Sequence, residues 1–555
     1  MPSPTPAMVQ PTPSPNQPPP PEPITARQRA LGVGLPMLVA ALLFWPYLSR
    51  IPGVNADEAW VLERVRELAQ GARPWNGMTF YVAAIHQYLV WPCVSLFGEH
   101  PFAIRLPGAV LNVAAVGLIA ATARQIWGAR TGLFAGLLIA TAPFLVTHAR
   151  FGIEVPALSP FYAAVAFATL GRLRPTGFAR GARPLPRTYL LAWLGGVGLG
   201  ALAYNHIVLL PVPIAIGLTM LFAGQARVVA SPITLMALLG FLFGCSPRLY
   251  DIMQPGMLKL WLSQGKSSGW PADILPMFGL LLGAWDGRIL YQRFAGGSAL
   301  FVLPYPALAF LALLVLRVRA VRAARVPATG PVRFAGFSRT EGFVVVALVI
   351  AAVLTTRIAP HLSIRYAVVL HVSLPVLLAA FARSLLQGDA HTRRPAVAIL
   401  VAVIALNVAY LAVNFFAPFL RAGGGLSVFR IGNRLIETSN HFAREDELYA
   451  RLRARGVTRV DADIFIVRPL QMWDRDRVLR YGEVEPALNA PGRALERTAV
   501  IFYNGLQWHG TIPPFPTDDA RTFGPTIRRN NLDLQHDPSF PPLFRVYIAE
   551  PASPP

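Results

Sequence analysis

Charged residues are scarce in this sequence: they make up 14% of its 555 residues, whereas hydrophobic residues make up 54%. An ordinary globular protein carries about 25% charged residues, so this chain cannot cover a water-exposed surface with charge. The mean hydropathy of +0.46 agrees with that shortage. Together these values exclude a water-soluble assembly and a mainly disordered chain, and they indicate a polytopic membrane protein.

Cysteine and lysine are also rare, and each shortage argues against a class of site. Cys93 and Cys245 are the two cysteines, and their apolar, isolated positions argue against a disulfide framework and a Cys-based zinc site. Lys259 and Lys266 are the two lysines, so the net charge of +22 comes from arginine. A basic excess can indicate nucleic-acid binding, and the placement of the arginines tests that interpretation.

Eleven apolar runs are long enough to cross ~30 Å of hydrocarbon. The predicted spans are 31–48, 104–123, 132–148, 157–171, 188–204, 207–223, 229–245, 299–316, 342–358, 366–383 and 396–417. Arginine-rich stretches fall in alternate loops between these spans, and the positive-inside rule assigns those loops to the cytoplasm. The basic excess is therefore a topology signal, and no nucleic-acid partner is predicted.

The predicted fold class is a polytopic α-helical membrane protein of about eleven transmembrane helices with a small C-terminal extracytoplasmic α/β domain. Residues 1–26 form a proline-rich, disordered cytoplasmic tail. Residues 27–417 form the membrane domain, whose outer loops are 49–103 and 247–298. Two apolar stretches, 78–98 and 274–284, are predicted to lie at the outer interface rather than to span.

Polar residues return in residues 418–555, which are predicted to form the α/β domain. Glu445–Arg455 has an amphipathic helical pattern that ends before Gly456. Arg459–Val467 and Thr498–Tyr503 are predicted strands. The alternation of helix, glycine and strand is typical of a small α/β unit.

The first outer loop contains two adjacent acids, Asp57 and Glu58. Val61, Leu62, Val65, Leu68 and Ala69 share one helical stripe, which predicts a surface helix over residues 56–70. Asn55 and Glu58 have the spacing of a capping box, so a purely structural role for Glu58 stays open. Since neighbouring helical side chains point ~100° apart, one acid caps while the other faces a cavity.

Ionisable residues recur at two further outer span ends. His148, Arg150 and Glu154 lie at one of them, where they either face a polar cavity or form an interfacial Arg150–Glu154 helix pair. Arg365 precedes Tyr366 at the other, where the arginine either clamps a phosphate or belongs to an interfacial belt.

These residues and their order resemble the GT-C superfamily of polyprenyl-phosphate-sugar-dependent glycosyltransferases, closest to the bacterial group related to protein mannosyltransferases and the lipid A aminoarabinose transferase. The resemblance covers about residues 30–420. It rests on Asp57-Glu58, Phe80-Tyr81, His86-Gln87-Tyr88, Phe97-Gly98, Arg105-Leu106-Pro107, Trp127-Gly128, Ala142-Pro143-Phe144, His148-Ala149-Arg150 with Glu154, and Arg365-Tyr366.

The resemblance implies transfer of a sugar from a polyprenyl-phosphate donor to a lipid, polysaccharide or protein acceptor at the outer face of the bacterial cytoplasmic membrane. It implies that Asp57 is the base, that Glu58 or Glu154 is a second acid, and that Arg365, His86 and Arg150 hold the donor phosphate. Substrate contacts are expected from Tyr81, Tyr88, His148 and Tyr366. No metal or cofactor is predicted, because no His/Asp cluster has ligand spacing.

Two other classes remain as alternatives. A transporter or lipid flippase of cell-envelope precursors would need ionisable residues near mid-membrane and often repeated, interrupted helices. A non-catalytic membrane scaffold would only present its outer tail. Neither explains the acids at the outer span ends as well as the glycosyltransferase interpretation does.

The charge pattern predicts a testable topology. Reporter fusions after Arg183 and after Gly456 are expected to report opposite sides of the membrane, since an odd number of spans follows an inside N-terminus. Two fusions reporting the same side contradict the eleven-span scheme.

Overall fold

A computed structural model of the chain describes residues 30–77, 82–171, 186–222, 231–257, 259, 274, 305–323, 339–358, 368–421, 441–442, 445–462, 464–482, 497–503, 534–536 and 544–549. Within these ranges the molecule is mainly helical, with one extended sheet near the C-terminus. The predicted helix at 274–284 lies almost wholly outside the described residues.

Each predicted span coincides with one or more helices. In chain order the helices up to residue 421 are α1 (Leu35–Phe44), α2 (Ala56–Ala69), α3 (Ile85–Phe97), α4 (Pro101–Trp127), α5 (Ala129–Thr141), α6 (Pro143–His148), α7 (Glu154–Leu170), α8 (Pro186–Asn205), α9 (Pro211–Phe222), α10 (Pro232–Ile252), α11 (Tyr305–Ala323), α12 (Arg339–Ile358), α13 (Val368–Gln387), α14 (Ala390–Tyr410) and α15 (Ala417–Arg421). Helices α2 and α3 occupy the first predicted outer loop, and α15 follows the last span.

Three described helical stretches are long and apolar enough by themselves to cross a membrane: Pro101–Trp127, Pro232–Ile252 and Ala390–Phe416. Shorter apolar helices accompany them, including the N-terminal one and α5. Four predicted spans are not single α-helices in the described residues. The first begins as a π-helix at Ala30–Gly34, and the sixth begins as a 3-10 helix at Ile207–Leu209. The third breaks between α5 and α6, because Pro143 lacks the N–H that would continue the helix. The last passes into a π-helix at Leu411–Phe416.

Close glycine packing joins α8 to α10. Gly196 and Gly200 on α8 and Gly240 and Gly244 on α10 are each spaced four residues apart, so they line facing helix surfaces. A Cβ atom added at Gly200 would meet the carbonyl oxygen of Phe241, and one at Gly240 would meet that of Trp193. The two backbones therefore approach to a separation that only glycine permits.

The first outer loop folds as a short strand followed by two helices. β1 (Val54–Asn55) leads directly into α2, and Gly71 ends that helix with a φ of +100°. Four members of the predicted stripe are buried, and Ala69 is exposed. The buried face contacts protein, including Val90 of α3 and Ile104 of α4, so α2 does not simply lie along a lipid surface.

Strands and helices alternate in the C-terminal segment, by which we mean the described residues between His441 and Ala549. The elements are β2 (His441–Phe442), α16 (Glu445–Ala454), β3 (Arg459–Ala462), α17 (Ile464–Trp473), β4 (Arg480–Gly482), β5 (Thr498–Tyr503), β6 (Leu534–His536) and β7 (Phe544–Ala549). Five strands form a mixed sheet in the order β4-β3-β5-β7-β6. Strand β5 has the predicted bounds, and α16 ends before Gly456, whose φ is +67°.

The prediction of one strand over Arg459–Val467 is wrong in its second half. The strand ends at Ala462, and α17 begins at Ile464. An apolar run of Ile, Phe and Val suits a strand as well as a buried helix, so periodicity alone does not separate them. Packing decides the outcome here, because Ile466 and Leu470 lie one turn apart in the same hydrophobic core.

Glycine packing between α8 and α10 generates a prediction. Gly200→Ala is expected to destabilise the protein by about 1–3 kcal/mol, because its added methyl group collides with the backbone of α10. Gly217→Ala on α9 is the matched control, since a Cβ atom there meets nothing within 4 Å. Thermal midpoints in detergent measure both, and equal midpoints for the two variants contradict the packing argument.

Candidate active site

Asn55 begins α2 with the predicted capping box. Its Oδ1 accepts a hydrogen bond from the backbone N–H of Asp57 at 2.8 Å, and its own N–H donates to Oε2 of Glu58 at 2.9 Å. Both bonds satisfy amides that would otherwise lack a partner at the start of the helix. The arrangement fixes Glu58 inward, whereas Asp57 stays half-buried.

Glu58 also forms a buried, two-pronged ion pair with Arg105 of α4. The guanidinium Nε and Nη2 donate to Oε1 and Oε2 of Glu58, each at 2.6 Å. The backbone N–H of Gly152 donates to Oε1 at 2.7 Å. At 1% and 0% exposure, Glu58 and Arg105 have no access to solvent. Glu58 therefore holds its surroundings together and does not face an open cavity.

Arg105 uses its remaining donors to hold the loop before α2. Its Nη1 donates to the carbonyl oxygens of Leu48 at 2.9 Å and Pro52 at 2.7 Å, and Nη2 donates to that of Gly53 at 2.8 Å. A planar guanidinium with five donors suits several carbonyls converging on one point. The sequence motif Arg105-Leu106-Pro107 did not predict this role of Arg105 in holding the loop, which only the structure reveals.

Glu154 is the second acid of the site and the first residue of α7. It is 2% exposed, and the side-chain amide of Gln87 donates a hydrogen bond to its Oε1. Asn205 at the end of α8 donates to the backbone oxygen of Glu154 at 3.0 Å and to Ser159 Oγ at 2.9 Å. Glu154 thus lies among polar groups from α3, α7 and α8.

His86 lies beside these groups and is completely buried. Burial lowers the pKa of His86 to about 4, and the backbone of Gly152 and the charge of Glu58 offset only part of that effect. Burial outweighs these two effects, so the imidazole is neutral at pH 7 and carries no positive charge for a phosphate.

Arg150 and Glu154 do not share a helix, because α7 begins at Glu154. The predicted alternative of an Arg150–Glu154 helix pair is therefore wrong. Arg150 is fully buried and donates to the carbonyl oxygens of Leu43, Phe44, Pro46 and Ile51. It anchors the end of α1 and the turn that follows it, much as Arg105 anchors the next stretch of chain.

Of the other residues predicted to contact the substrates, the structure describes two and leaves three outside the described ranges. His148 is buried and stacks on Phe144 with ring centroids 4.0 Å apart, and its Nδ1 lies 2.9 Å from the Phe144 carbonyl oxygen. The Tyr88 hydroxyl donates to the Pro74 carbonyl oxygen at 3.2 Å. Tyr81, Arg365 and Tyr366 lie outside the described residues. Among the described residues, no three His, Cys, Asp or Glu side chains are grouped so as to share a metal ion.

A second polar cluster lies at the end of α10, beyond the predicted span. The Arg248 guanidinium donates to the carbonyl oxygen of Tyr204 at 2.8 Å and to Oδ1 of Asn76 at 3.2 Å. Asn76 donates in turn to Asp251 at 2.9 Å. In the sequence, the i,i+3 spacing of Arg248 and Asp251 is the signal that could have indicated this cluster. This cluster ties the loop after α2 to α8 and α10.

Glu445 of α16 brings a further acid from the C-terminal segment within electrostatic reach of Glu58 and Arg105. It is 5% exposed, and one carboxyl oxygen has no hydrogen-bond partner among the described residues. Burial raises the pKa of Glu445 well above its usual range; Asp446 and Glu58 raise it further, while the Glu445 backbone amide and Arg105 lower it. The site therefore holds an acid with a raised pKa within electrostatic reach of the ion pair.

Comparison with known proteins identifies the fold. Residues 82–250 match the sequence model of the dolichyl-phosphate-mannose-protein mannosyltransferase family. The crystal structure of ArnT from Cupriavidus metallidurans bound to undecaprenyl phosphate is similar over 95% of this chain and 99% of that chain, with a TM-score of 0.54 at 14% identity. The predicted resemblance to GT-C glycosyltransferases is confirmed.

Other comparisons of this GT-C-like chain give weaker likenesses. The apo structure of the same ArnT has a TM-score of 0.43 at 14% identity, covering 94% of this chain and 97% of that one. The Archaeoglobus fulgidus oligosaccharyltransferase in complex with Zn and sulfate has a TM-score of 0.48 at 12% identity, covering 84% of this chain and 67% of that one. No curated protein matches the sequence.

These comparisons support the predictions of a multi-pass membrane protein and of glycosyltransferase activity. The transporter alternative is not favoured. The matched residues 82–250 include His86, Gln87, Arg105, His148 and Glu154, and therefore most of the polar groups described above.

The Glu58–Arg105 pair generates a stability prediction. If Glu58 only capped α2, Glu58→Gln would lower the stability of the protein only slightly. The substitution also removes the counter-charge of the fully buried Arg105. Breaking such a pair costs about 3–5 kcal/mol, so the yield of folded protein and its thermal midpoint in detergent are expected to fall sharply.

Glu67→Gln on the same helix is the control for that measurement. Glu67 pairs with Arg64 at 2.6 Å, but both side chains are about one-third exposed or more, at 40% and 34%. Exposed pairs contribute ~0–1 kcal/mol, so this variant is expected to match the wild type. A Glu58→Gln midpoint as high as that of Glu67→Gln refutes the structural role of Glu58.

Proposed function

We propose that this protein transfers a sugar from a polyprenyl-phosphate donor to an acceptor hydroxyl at the outer face of the bacterial cytoplasmic membrane, with inversion at the anomeric carbon. The supporting observation is that the two adjacent acids, Asp57 and Glu58, have different surroundings. Glu58 is fixed by Arg105 and by backbone amides, whereas its neighbour Asp57 in the first turn of the same helix is half-buried, and adjacent helical side chains point about 100° apart.

The proposed topology accompanies this function. Eleven spans, a cytoplasmic N-terminus and an outer α/β domain at 418–555 put α2 and the acids at the outer face, beside the C-terminal segment. The pairing of β1 with β2 and the packing of α17 on α2 support that arrangement, because they bring the C-terminal segment to the same side as the acids.

Asp57 acts as the general base in the proposed reaction. Its carboxylate accepts the proton of the acceptor hydroxyl as that oxygen attacks the anomeric carbon, and the bond from this carbon to the phosphate oxygen breaks. The lipid phosphate leaves with the electron pair of that bond, so one displacement inverts the configuration. Glu58 is bound to Arg105 and Glu154 to Gln87, whereas Asp57 is assigned as the base, and this arrangement favours the one-step course over a covalent intermediate.

Polar groups deeper in the site serve the donor in this proposal. Glu154 is held by Gln87 and is the second acid, placed to bond sugar hydroxyl groups. Arg365 and His86 are assigned to the phosphate, with Arg365 supplying the charge. The presence of undecaprenyl phosphate in the similar ArnT structure supports a polyprenyl-phosphate donor. The proposed reaction uses no metal ion or cofactor.

The direct test uses purified protein in lipid nanodiscs. Undecaprenyl-phosphate-linked mannose, glucose, galactose and aminoarabinose, each radiolabelled in the sugar, are supplied with a bacterial envelope extract. Label is expected to move from one donor into the lipid, polysaccharide or protein fraction, which identifies the sugar and the acceptor class together. The same reactions with EDTA test the assignment of no metal ion.

Asp57→Asn is the decisive substitution in that assay. Asparagine keeps the volume of the side chain but cannot accept the proton, so turnover is expected to fall ~10²–10⁴-fold. Folded yield and thermal midpoint are expected to stay close to wild type, because the capping box uses only the backbone N–H of Asp57. Glu67→Gln controls for the loss of one negative charge from α2. Normal turnover of Asp57→Asn refutes the proposed base.

A further inference from the structure

Helix α17 of the C-terminal segment packs directly on the helix that begins with the two acids. Met472 is 2% exposed and shares a hydrophobic cluster with Val61 and Leu62 of α2. Trp473 packs against the same cluster. Just before α2, β1 pairs with β2 in antiparallel register, with Val54 opposite Phe442. The C-terminal segment thus contacts α2 along its side and at its start.

Arg468 is the charged residue that this packing brings to α2. Its guanidinium carbon lies 3.2 Å from the centre of the Trp60 ring, so the planar cation stacks on the indole face. Trp60 follows Asp57 by three residues and therefore lies one helical turn above it on the same face. The stack holds the guanidinium in place beside that turn.

Asp57 and Glu63 act electrostatically on Arg468. Burial lowers the pKa of Arg468, and the charges of Asp57 and Glu63 oppose this effect. Since Trp60 lies three residues from each acid, the stacked guanidinium lies over the helix face that carries both acids. An arginine subject to the charges of two acids is poorly suited to binding a further anion on its own.

We propose that Arg468 is a positioning residue for the transfer reaction, which orients the Asp57 carboxylate towards the acceptor while its own guanidinium is held by Trp60. The inference rests on the proposed role of Asp57 as the base. It adds a residue from the C-terminal segment to the active site, where the sequence analysis assigned none. The segment is then needed for the rate of transfer and not only for the choice of acceptor.

The competing explanation is that Arg468 merely fastens α17 to α2. Arg475 provides a matched control for fastening, because it also joins the C-terminal segment to the membrane domain. Its Nη2 donates to the carbonyl oxygen of Glu99 at 2.8 Å. Glu99 pairs with Arg66 in the last turn of α2, so replacing Arg475 tests docking away from the start of the helix, where Asp57 lies.

The experiment compares Arg468→Gln, Arg468→Lys and Arg475→Gln in the nanodisc assay with undecaprenyl-phosphate-linked sugars and envelope extract. Arg468→Gln is expected to lower kcat about 10–100-fold, the cost of a misplaced reacting group. The Kd for undecaprenyl phosphate is expected to stay unchanged in all three variants. Lysine restores the charge without the planar stack, so Arg468→Lys is expected to recover part of kcat. Arg475→Gln is expected to retain wild-type kcat.

A double-mutant cycle separates action through Asp57 from independent action. If Arg468 works through the carboxylate, Asp57→Asn with Arg468→Gln is expected to be no slower than Asp57→Asn alone. If the double variant is slower than Asp57→Asn alone by the same factor that Arg468→Gln causes by itself, the inference is overturned. A wild-type kcat in Arg468→Gln also overturns it. Limited proteolysis of the C-terminal segment reports docking, and equal loss of docking and kcat in both Arg468 variants also overturns it.

The cycle also distinguishes the two proposals. Normal turnover of Asp57→Asn removes the proposed base and the inference together. A slow Asp57→Asn with a normal Arg468→Gln removes only the inference and leaves the proposed function standing.

Discussion

The buried pair of Glu58 and Arg105 is the interaction on which the candidate site depends. The Glu58 carboxylate accepts hydrogen bonds from two guanidinium nitrogens, the N–H of Asn55 and the N–H of Gly152, while the guanidinium also donates to three backbone carbonyl oxygens. Both Glu58 carboxylate oxygens and all three nitrogens of the Arg105 guanidinium have partners, and this is the condition under which a buried ion pair is tolerated. The pair therefore fixes the start of α2, the loop before it and the turn before α7 relative to one another.

Buried arginines serve as clamps on irregular backbone in this protein. Arg105 and Arg150 together bind carbonyl oxygens between Leu43 and Gly53, a stretch where the chain leaves α1 and no regular helix satisfies its backbone. Arg248 binds the end of α8 in the same manner. Irregular backbone near a membrane needs such internal partners, because lipid supplies none. Arginine therefore clamps irregular backbone in this fold, in addition to its part in the predicted topology.

The C-terminal segment joins the membrane domain through several kinds of contact. A strand pair places β2 against β1, a hydrophobic cluster buries Met472 against α2, and Glu445 lies within electrostatic reach of Glu58 and Arg105. Burial keeps the Glu445 carboxyl neutral over a wider pH range than usual, which reduces the cost of enclosing a second acid beside Glu58. The acidic helix α2 is thereby enclosed between the membrane helices and the later sheet-bearing part of the chain.

The sequence by itself determined the features that depend on neighbouring residues. The apolar runs predicted where the described helices of the membrane domain lie. The Asn55–Glu58 spacing predicted the capping box, and Gly71 and Gly456 predicted two helix ends. The order of short motifs indicated the glycosyltransferase class. These signals are local because hydrophobic periodicity and helix capping act within a few residues.

Only the tertiary structure decided which polar side chains meet. Arg105 is 47 residues from Glu58, Gln87 is 67 residues from Glu154, and Arg468 comes from a different part of the chain from Trp60. The sequence predicted Arg150 as a phosphate-binding residue, whereas in the structure its guanidinium donates to backbone carbonyl oxygens. The choice between a strand and a helix at Ile464 also depended on the core that receives it. Such pairings depend on how distant segments pack, and a one-dimensional pattern does not contain that information.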